Sequence, residues 1–184
     1  MKCERCSGTV TPRTLPAFDA SDLVGLDGVL VLGEAIEMAC EGCGFVRSVV
    51  VNDLEGLEAA AAMERIRRPR RLGGGEVRFM RTALRMKAKE LADALKIRPE
   101  TVSRWENDHT PMNAEMEKVF RLLVGYGLQP HAAGMSFDPM GIVRMEIDDS
   151  PAEALAFSRT LVLLHRANSV DRHTGWSPED QKAA

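Results

Sequence analysis

The sequence predicts an α+β fold: a small N-terminal β module, an all-α domain of four to five helices, and a C-terminal extension. Three observations carry this prediction. Short β-type runs, such as 29–32 and 45–51, alternate with Gly, Asp and Pro through the first 52 residues. From residue 76 the apolar residues instead recur at helical spacing. Two Cys-x-x-Cys pairs lie within the β-type region.

A connecting helix is predicted to follow the β module. Asn52 or Asp53 can cap its N-terminus, and a stretch rich in alanine and glutamate continues the helix to about Arg67. Pro69 ends it, and three adjacent glycines at 73–75 then indicate a hinge between two independently packed parts.

Four short helices are predicted after the hinge. Only three residues separate the second from Pro99, a favourable first residue of the third, so these two form a helix-turn-helix pair. The apolar positions of the four helices are Val77, Met80, Ala83 and Leu84, then Leu91, Ala92 and Leu95, then Val102 and Trp105, then Met116, Val119, Phe120 and Leu123. The predicted boundaries are 1–68 for the β module with its helix, 69–75 for the hinge, 76–126 for the helical domain and 127–184 for the extension.

A further helix is predicted within the C-terminal extension, at about 151–168, followed by a flexible tail. Ser150, Pro151 and Glu153 favour a helix start. The apolar residues after them repeat at three, four and three positions: Ala154, Phe157, Leu161 and Leu164. Because this seam is shorter than two heptads, packing on the protein's own core is favoured over a coiled-coil dimer.

The composition is that of an ordinary globular protein, with 45% hydrophobic and 28% charged residues among 184. No run approaches 18 apolar residues, and the first residues lack the basic-then-apolar pattern of a secretory signal. A cytoplasmic protein without membrane contact is therefore expected. Aromatic residues make up only 5%, which argues against a surface that stacks single-stranded bases.

The net charge of −3 conceals a basic middle segment. Residues 65–104 carry 13 basic and four acidic side chains, whereas both flanks are acidic. Because a polyanion would be repelled by the flanks, the pattern favours a nucleic acid that contacts the middle segment over a merely solvated helix face. The densest part is a run of five arginines: Arg65, Arg67, Arg68, Arg70 and Arg71.

The four cysteines form two close pairs, Cys3 with Cys6 and Cys40 with Cys43. Four thiolates can complete a tetrahedral shell around Zn²⁺, which leaves no open position for water or substrate. Zinc binding would also supply folding free energy to a module with few large apolar residues. The sequence therefore predicts a structural zinc site. The alternatives are two redox-active pairs, four unligated thiols or an iron–sulfur cluster.

Catalytic constellations are missing from the sequence. It has no obvious carboxylate pair, no nucleophile with a placed base and no phosphate-binding glycine loop, and its four histidines are scattered and expected at the surface. A zinc-dependent hydrolase would need an open metal position, which four thiolates do not offer. The protein is therefore not expected to be an enzyme.

The segment 81–123 resembles an Xre-type helix-turn-helix, the lambda-repressor-like domain. The resemblance rests on KELADAL, which matches the support helix, and on ETVSRWEND, which matches the recognition helix. It implies that Val102 and Trp105 are core residues. It also implies that the exposed side of the third helix enters the major groove of duplex DNA.

This resemblance implies which side chains contact DNA. The candidates for base contacts are Arg98, Glu100, Thr101 and Arg104. Arg104 can bond O6 and N7 of guanine, and Glu100 either accepts from N4 of cytosine or repels phosphate at wrong sites. The candidates for phosphate contacts are Lys87, Lys89, Asn107 and Thr110.

A paired-cysteine module, a connecting helix and an Xre-type domain, in this order over about residues 1–125, resemble the MqsA antitoxin family with its YgiT-type zinc finger. The resemblance implies a homodimeric repressor that binds palindromic operator DNA, a cytoplasmic protein associated with the nucleoid when bound. It also implies the antitoxin of a type II toxin-antitoxin system, whose zinc module binds an mRNA interferase toxin.

Two other functions stay open beside the antitoxin. Members of the family usually end soon after the helix-turn-helix, whereas this chain continues for some sixty residues. A free-standing zinc-containing transcription regulator without a toxin is the alternative within the same class. The alternative from a different class is a protein-interaction adaptor that uses the zinc module.

Overall fold

The computed structural model describes residues 1–149, 155–166 and 169–179. Its strands are β1 (Val10–Asp19), β2 (Val29–Cys40), β3 (Val46–Val51), β4 (Leu155–Arg166) and β5 (Ser169–Pro178). Its helices are α1 (Ser21–Val24), α2 (Leu54–Arg67), α3 (Gly74–Ala83), α4 (Ala88–Leu95), α5 (Pro99–Glu106), α6 (Ala114–Leu128) and α7 (Pro139–Arg144). The predicted α+β class is confirmed.

The N-terminal β module is a three-stranded antiparallel sheet with β2 in the middle. β1 pairs with nearly the whole length of β2, whereas β3 pairs only with its second half, from Ala35 to Ala39. Val29, Val31 and Ala35 of β2 are fully buried. The short β-type runs in the sequence therefore predicted the module, although β1 and β2 are longer than those runs.

The connecting helix α2 packs on α6 and on β4 and β5, the C-terminal strands of the sheet. As predicted, Asp53 caps it: a carboxylate oxygen of Asp53 accepts from the backbone N–H of Gly56 at 3.0 Å. The helix ends at Arg67, and Arg68 turns to an extended conformation just before Pro69. Its alanines at 59–62 are all buried, because small side chains let the sheet and α6 approach closely.

The four predicted helices of the second domain are α3 to α6. Lys96 ends α4 in the left-handed conformation, and Pro99 is the first residue of α5, as the sequence predicted for a helix-turn-helix. Leu91, Val102 and Phe120 are fully buried in the common core, and Trp105 is 8% exposed. The assignment of Val102 and Trp105 to the core is confirmed.

Residues 69–75 do not form a hinge between independently packed parts, because one apolar core continues from the sheet through α2 into α3 to α6. Two buried guanidiniums hold this segment. Arg65 donates to the carbonyls of Arg70 and Arg71, and Arg121 donates to the carbonyl of Arg70 and to two carbonyls before it. The first helical glycine, Gly74, serves close packing: a Cβ there would lie 2.6 Å from the carbonyl oxygen of Trp105.

The C-terminal extension is a β-hairpin, so the prediction of a helix at about 151–168 is wrong for its described part. Residues 150–154 and 167–168 lie outside the described residues. β4 adds to β2 in parallel along Val29–Leu32, the half that β3 leaves free, and β5 pairs with β4. The free edge of β2 explains the error, since a short apolar run is compatible with helix or strand and long-range pairing decides between them.

The predicted flexible tail is also wrong as far as residue 179. Trp176 of β5 is only 1% exposed, and its indole N–H donates to the carbonyl of Asp53 at 3.0 Å. The hairpin is therefore fixed to the start of α2. No helix among the described residues is long and apolar enough to cross a bilayer.

Candidate metal centre and nucleic-acid interface

The four cysteine sulfurs converge at one end of the sheet, where all lie within 4.8 Å of one another. The Sγ atoms of Cys3 and Cys43 are 3.7 Å apart, and those of Cys6 and Cys40 are 3.4 Å apart. Sulfurs bound to Zn²⁺ at about 2.3 Å in a tetrahedron are separated by about 3.8 Å. The cluster can therefore bind a metal ion such as zinc.

Two matching turns present these sulfurs. In the first, Ser7 donates its backbone N–H to the carbonyl of Cys3; in the second, Gly44 donates in the same way to Cys40. Ser7 and Gly44 both have positive φ, 61° and 69°. Two copies of one turn thus place two thiols each, as structural zinc sites require.

The surroundings of the sulfurs also suit thiolates. The backbone N–H of Arg5 points at the sulfur of Cys3 with an N···S distance of 3.4 Å, and such amide donors stabilise negative charge on sulfur. A Cβ at Gly8 would lie 3.2 Å from the sulfurs of both Cys6 and Cys40, so this turn leaves little room for a larger residue.

The pKa values of two of the thiols, Cys40 and Cys6, shift in opposite directions. The backbone N–H of Cys43 is the main cause that lowers the pKa of Cys40, to about 7. For Cys6 the backbone N–H of Gly8 acts in the same direction, but hydrogen bonds with Cys43 and Cys40 outweigh it and raise the pKa of Cys6 to about 12. A bound cation would have to displace the proton from Cys6, because cysteine binds metal as the thiolate.

Every arginine of the predicted basic run already has a carboxylate partner within the protein, although the five share three carboxylates. These are Glu76 for Arg65 and Arg70, Glu64 for Arg67 and Arg68, and Asp149 for Arg71. The Arg65 side chain is only 3% exposed. This differs from the expectation that the run contacts nucleic acid, because a sequence shows clustered charge but not the carboxylates that fold against it.

The unpaired basic residues of the segment 65–104 lie outside the arginine run. Of the 13 basic residues in 65–104, five have no carboxylate partner among the described residues. They lie at the start of α4, in the turn before α5 and on α5 itself: Lys87, Lys89, Lys96, Arg98 and Arg104. All five are exposed, so this surface offers cations to an anionic partner.

The base-contact candidates occupy the N-terminal end and outer side of α5. Arg98 precedes its first residue, and Arg98, Glu100 and Arg104 are exposed. No hydrogen bond or ion pair to the Arg104 side chain occurs among the described residues. Thr101 is half-buried, and its backbone N–H donates to the carbonyl of Arg98.

The phosphate-contact candidates differ in whether their side chains already have hydrogen-bond partners within the protein. Lys87 and Lys89 are exposed and unpaired within the described part of the chain. Asn107 is already engaged: its amide nitrogen donates to the carbonyl of Ser103 at 2.7 Å, and its amide oxygen accepts from Arg78 at 3.0 Å. Thr110 is exposed and lines a cavity of about 260 Å³ beside α5.

Sequence reasoning missed the residues that anchor the far end of α5. Glu106 accepts from Arg81 of α3, and its carboxylate is only 8% exposed. Asp108 accepts from the backbone N–H of Gly74 at 2.6 Å. These contacts fix the C-terminal end of α5 against both the first and the last turn of α3. The only sequence signal was the acidic end of ETVSRWEND beside a basic helix, which does not reveal the pairing.

Comparisons with known proteins agree with this geometry. Residues 77–130 match the family model described as helix-turn-helix. The match covers α4 and α5 with the helices on either side, but neither the four-cysteine module nor the C-terminal hairpin. No match was found among curated proteins or among solved structures. The chain therefore contains an Xre-type helix-turn-helix domain, the DNA-binding unit of a transcription regulator.

Proposed function

We propose that the protein is a zinc-containing transcriptional repressor that binds palindromic operator DNA as a homodimer, with α5 in the major groove. The observation that carries this proposal is the position of the five unpaired cations. They lie on α5, in the turn before it and at the start of α4, whereas the arginines of the preceding run are paired within the protein. Unpaired, exposed cations release the most counterions on contact with phosphate.

In this proposal Arg104 is the principal base-reading residue. It is exposed and has no partner to displace among the described residues, so its guanidinium is free to bond O6 and N7 of guanine. Arg98, Glu100 and Thr101 at the N-terminal end of α5 complete the base-contacting set. Lys87 and Lys89 bind phosphates and set the register; Asn107 and Thr110 assist at the other end of α5.

A nuclease footprint on the gene's own promoter tests this assignment. The homodimer should protect two half-sites whose centres lie about 10 to 10.5 bp, or a multiple of that, apart. Arg104→Ala should cost about 1 to 3 kcal/mol and relax selectivity at one base pair of each half-site. A single protected half-site would contradict the dimer, and equal loss on operator and random duplex would contradict base reading.

Zinc is assigned to the four thiolates of Cys3, Cys6, Cys40 and Cys43. The distances between their sulfurs and the two matching turns support this assignment. All four positions around the ion are filled by protein, so zinc here stabilises structure rather than activating water. Metal analysis of the purified protein should give about one zinc per chain, and no bound metal would overturn the assignment.

The antitoxin role is the finer part of the proposal and rests on the resemblance of residues 1–125. It predicts that a ribonuclease encoded beside the gene copurifies with the full chain and is inhibited by it. If the neighbouring product does not bind, the free-standing regulator is correct. The hairpin at Leu155–Pro178 favours that alternative, because it extends the zinc module's sheet with strands that the resemblance does not include.

A further inference from the structure

One surface of the helical domain is unusually apolar. Eight large hydrophobic residues are exposed among the described residues, and four of them lie on α6 and α7. Their exposures are 48% for Val119, 63% for Tyr126, 52% for Met140 and 47% for Val143. Scattered apolar residues are normal on a surface, but a contiguous patch marks an interaction site.

Contacts of α6 with α7 and with the residue Phe137 before it bring these residues to one side of the domain, here called the α6–α7 face. The ammonium of Lys118 on α6 donates to the carbonyl of Val143 at 3.0 Å. At the other end, the rings of Tyr126 and Phe137 meet edge to face with centroids 5.1 Å apart. α7 therefore runs antiparallel to α6 and widens its exposed stripe.

The exposed stripe on α6 would match the same stripe of a second copy that runs in the opposite direction. Its members follow at intervals of four, three and four residues, so they share one side of the helix: Glu115, Val119, Leu122 and Tyr126. When a second α6 runs antiparallel over the first, Val119 lies opposite Leu122 of the other copy. Glu115 then lies opposite Tyr126, so an anionic acceptor meets a phenol donor at each end.

We propose that the α6–α7 face is the surface through which two copies of this chain associate about a two-fold axis. The proposal rests on the homodimer of the proposed function and supplies its interface. Within the described residues neither the Tyr126 hydroxyl nor the Glu115 carboxylate has a partner, so both are available to the second copy. Tyrosine is enriched in protein interfaces, and a self-complementary stripe fits an isologous contact.

Sedimentation of the full zinc-bound chain without DNA tests the interface. We expect a dimer at micromolar concentration, and Val119→Lys should weaken its association at least tenfold because it places a charge in the apolar centre. Val50→Lys on β3 is the matched control, since Val50 is also 48% exposed and lies on the sheet. A monomeric wild type, or dissociation by Val50→Lys but not by Val119→Lys, would overturn the proposal. Circular dichroism checks that both variants fold.

A charge exchange tests the antiparallel register. Tyr126→Glu should dissociate the dimer, because two carboxylates then face each other at each end. Adding Glu115→Lys to that variant should restore association by pairing opposite charges. If the double variant stays as weak as Tyr126→Glu alone, the register is wrong.

DNA binding is measured separately, so that the two proposals can fail separately. Val119→Lys should still bind a single half-site while losing cooperative binding to the palindrome. A wild type that dimerises through this face but binds no duplex would contradict the proposed function and leave the interface standing.

Discussion

Arg121 joins the end of α2 and the segment after it to the helix-turn-helix domain. Its side chain is fully buried, pairs with Glu117 at 2.6 Å and donates to the carbonyls of Ile66, Arg68 and Arg70. Burial lowers the pKa of Arg121, and its ion pair with Glu117 opposes that change. A buried guanidinium is tolerated only where its donors find acceptors, as they do here.

Replacing Arg121 by Met should destabilise the protein by about 3 to 5 kcal/mol, because Glu117 would remain buried without its counter-charge. Urea unfolding measures the change. Arg104→Met, at an exposed position on α5 outside the α6–α7 face, is the control and should change stability by less than about 0.5 kcal/mol in the absence of DNA. Equal stability of the two variants would show that the buried pair does not hold the domains together.

The hairpin of β4 and β5 is the element that most distinguishes this fold. It completes the sheet along the first half of β2 and brings Trp176 onto the start of α2. A Cβ at Gly134 would collide with the carbonyl oxygen of Trp176, so the loop after α6 also packs closely on β5. The hairpin thus joins the zinc module to the helical domain.

Trp176→Ala should therefore cost about 3 to 5 kcal/mol, the range for loss of a large buried aromatic side chain. Thermal unfolding checks this, with Leu23→Ala as the control at a residue that is 42% exposed. A melting temperature for Trp176→Ala equal to that of the wild type would mean that the hairpin does not contribute to the folded core.

Local signals explain which elements could be predicted from the sequence. The cap at Asp53, the turn before Pro99 and the spacing of the cysteines act within a few residues, and all three reappear in the structure. The hairpin depends instead on the edge of β2, more than 120 positions earlier in the chain. The buried pair of Arg65 and Glu76 likewise depends on packing that a charge count does not contain.

At the scale of the whole molecule, the end of the sheet that carries the four cysteines is nearly separate from the main core. Cys3, Val10 and Cys40 form a small buried cluster of their own, whereas one larger cluster connects the sheet, α2 and the helix-turn-helix domain. Metal binding should therefore stabilise the end of the sheet without being required to fold the helical domain.

Removal of zinc by a chelator should loosen the backbone around the four cysteines and leave the helical domain folded. Hydrogen exchange should accelerate in residues 1–10 and 38–46, because their turns depend on the thiolates, while protection within 77–130 should persist. Unfolding of the entire chain on chelation would contradict this division. Unchanged hydrogen exchange in residues 1–10 and 38–46 would contradict the metal site.

The salt dependence of operator binding tests the central claim most directly, since it counts the cations that meet phosphate. Lys89→Ala should reduce the slope of log affinity against log salt by about 0.9 per half-site. Arg67→Ala removes the same charge from an arginine paired with Glu64 and should leave the slope unchanged. The reverse result, with Arg67 changing the slope and Lys89 not, would place the DNA on the arginine run instead of α5.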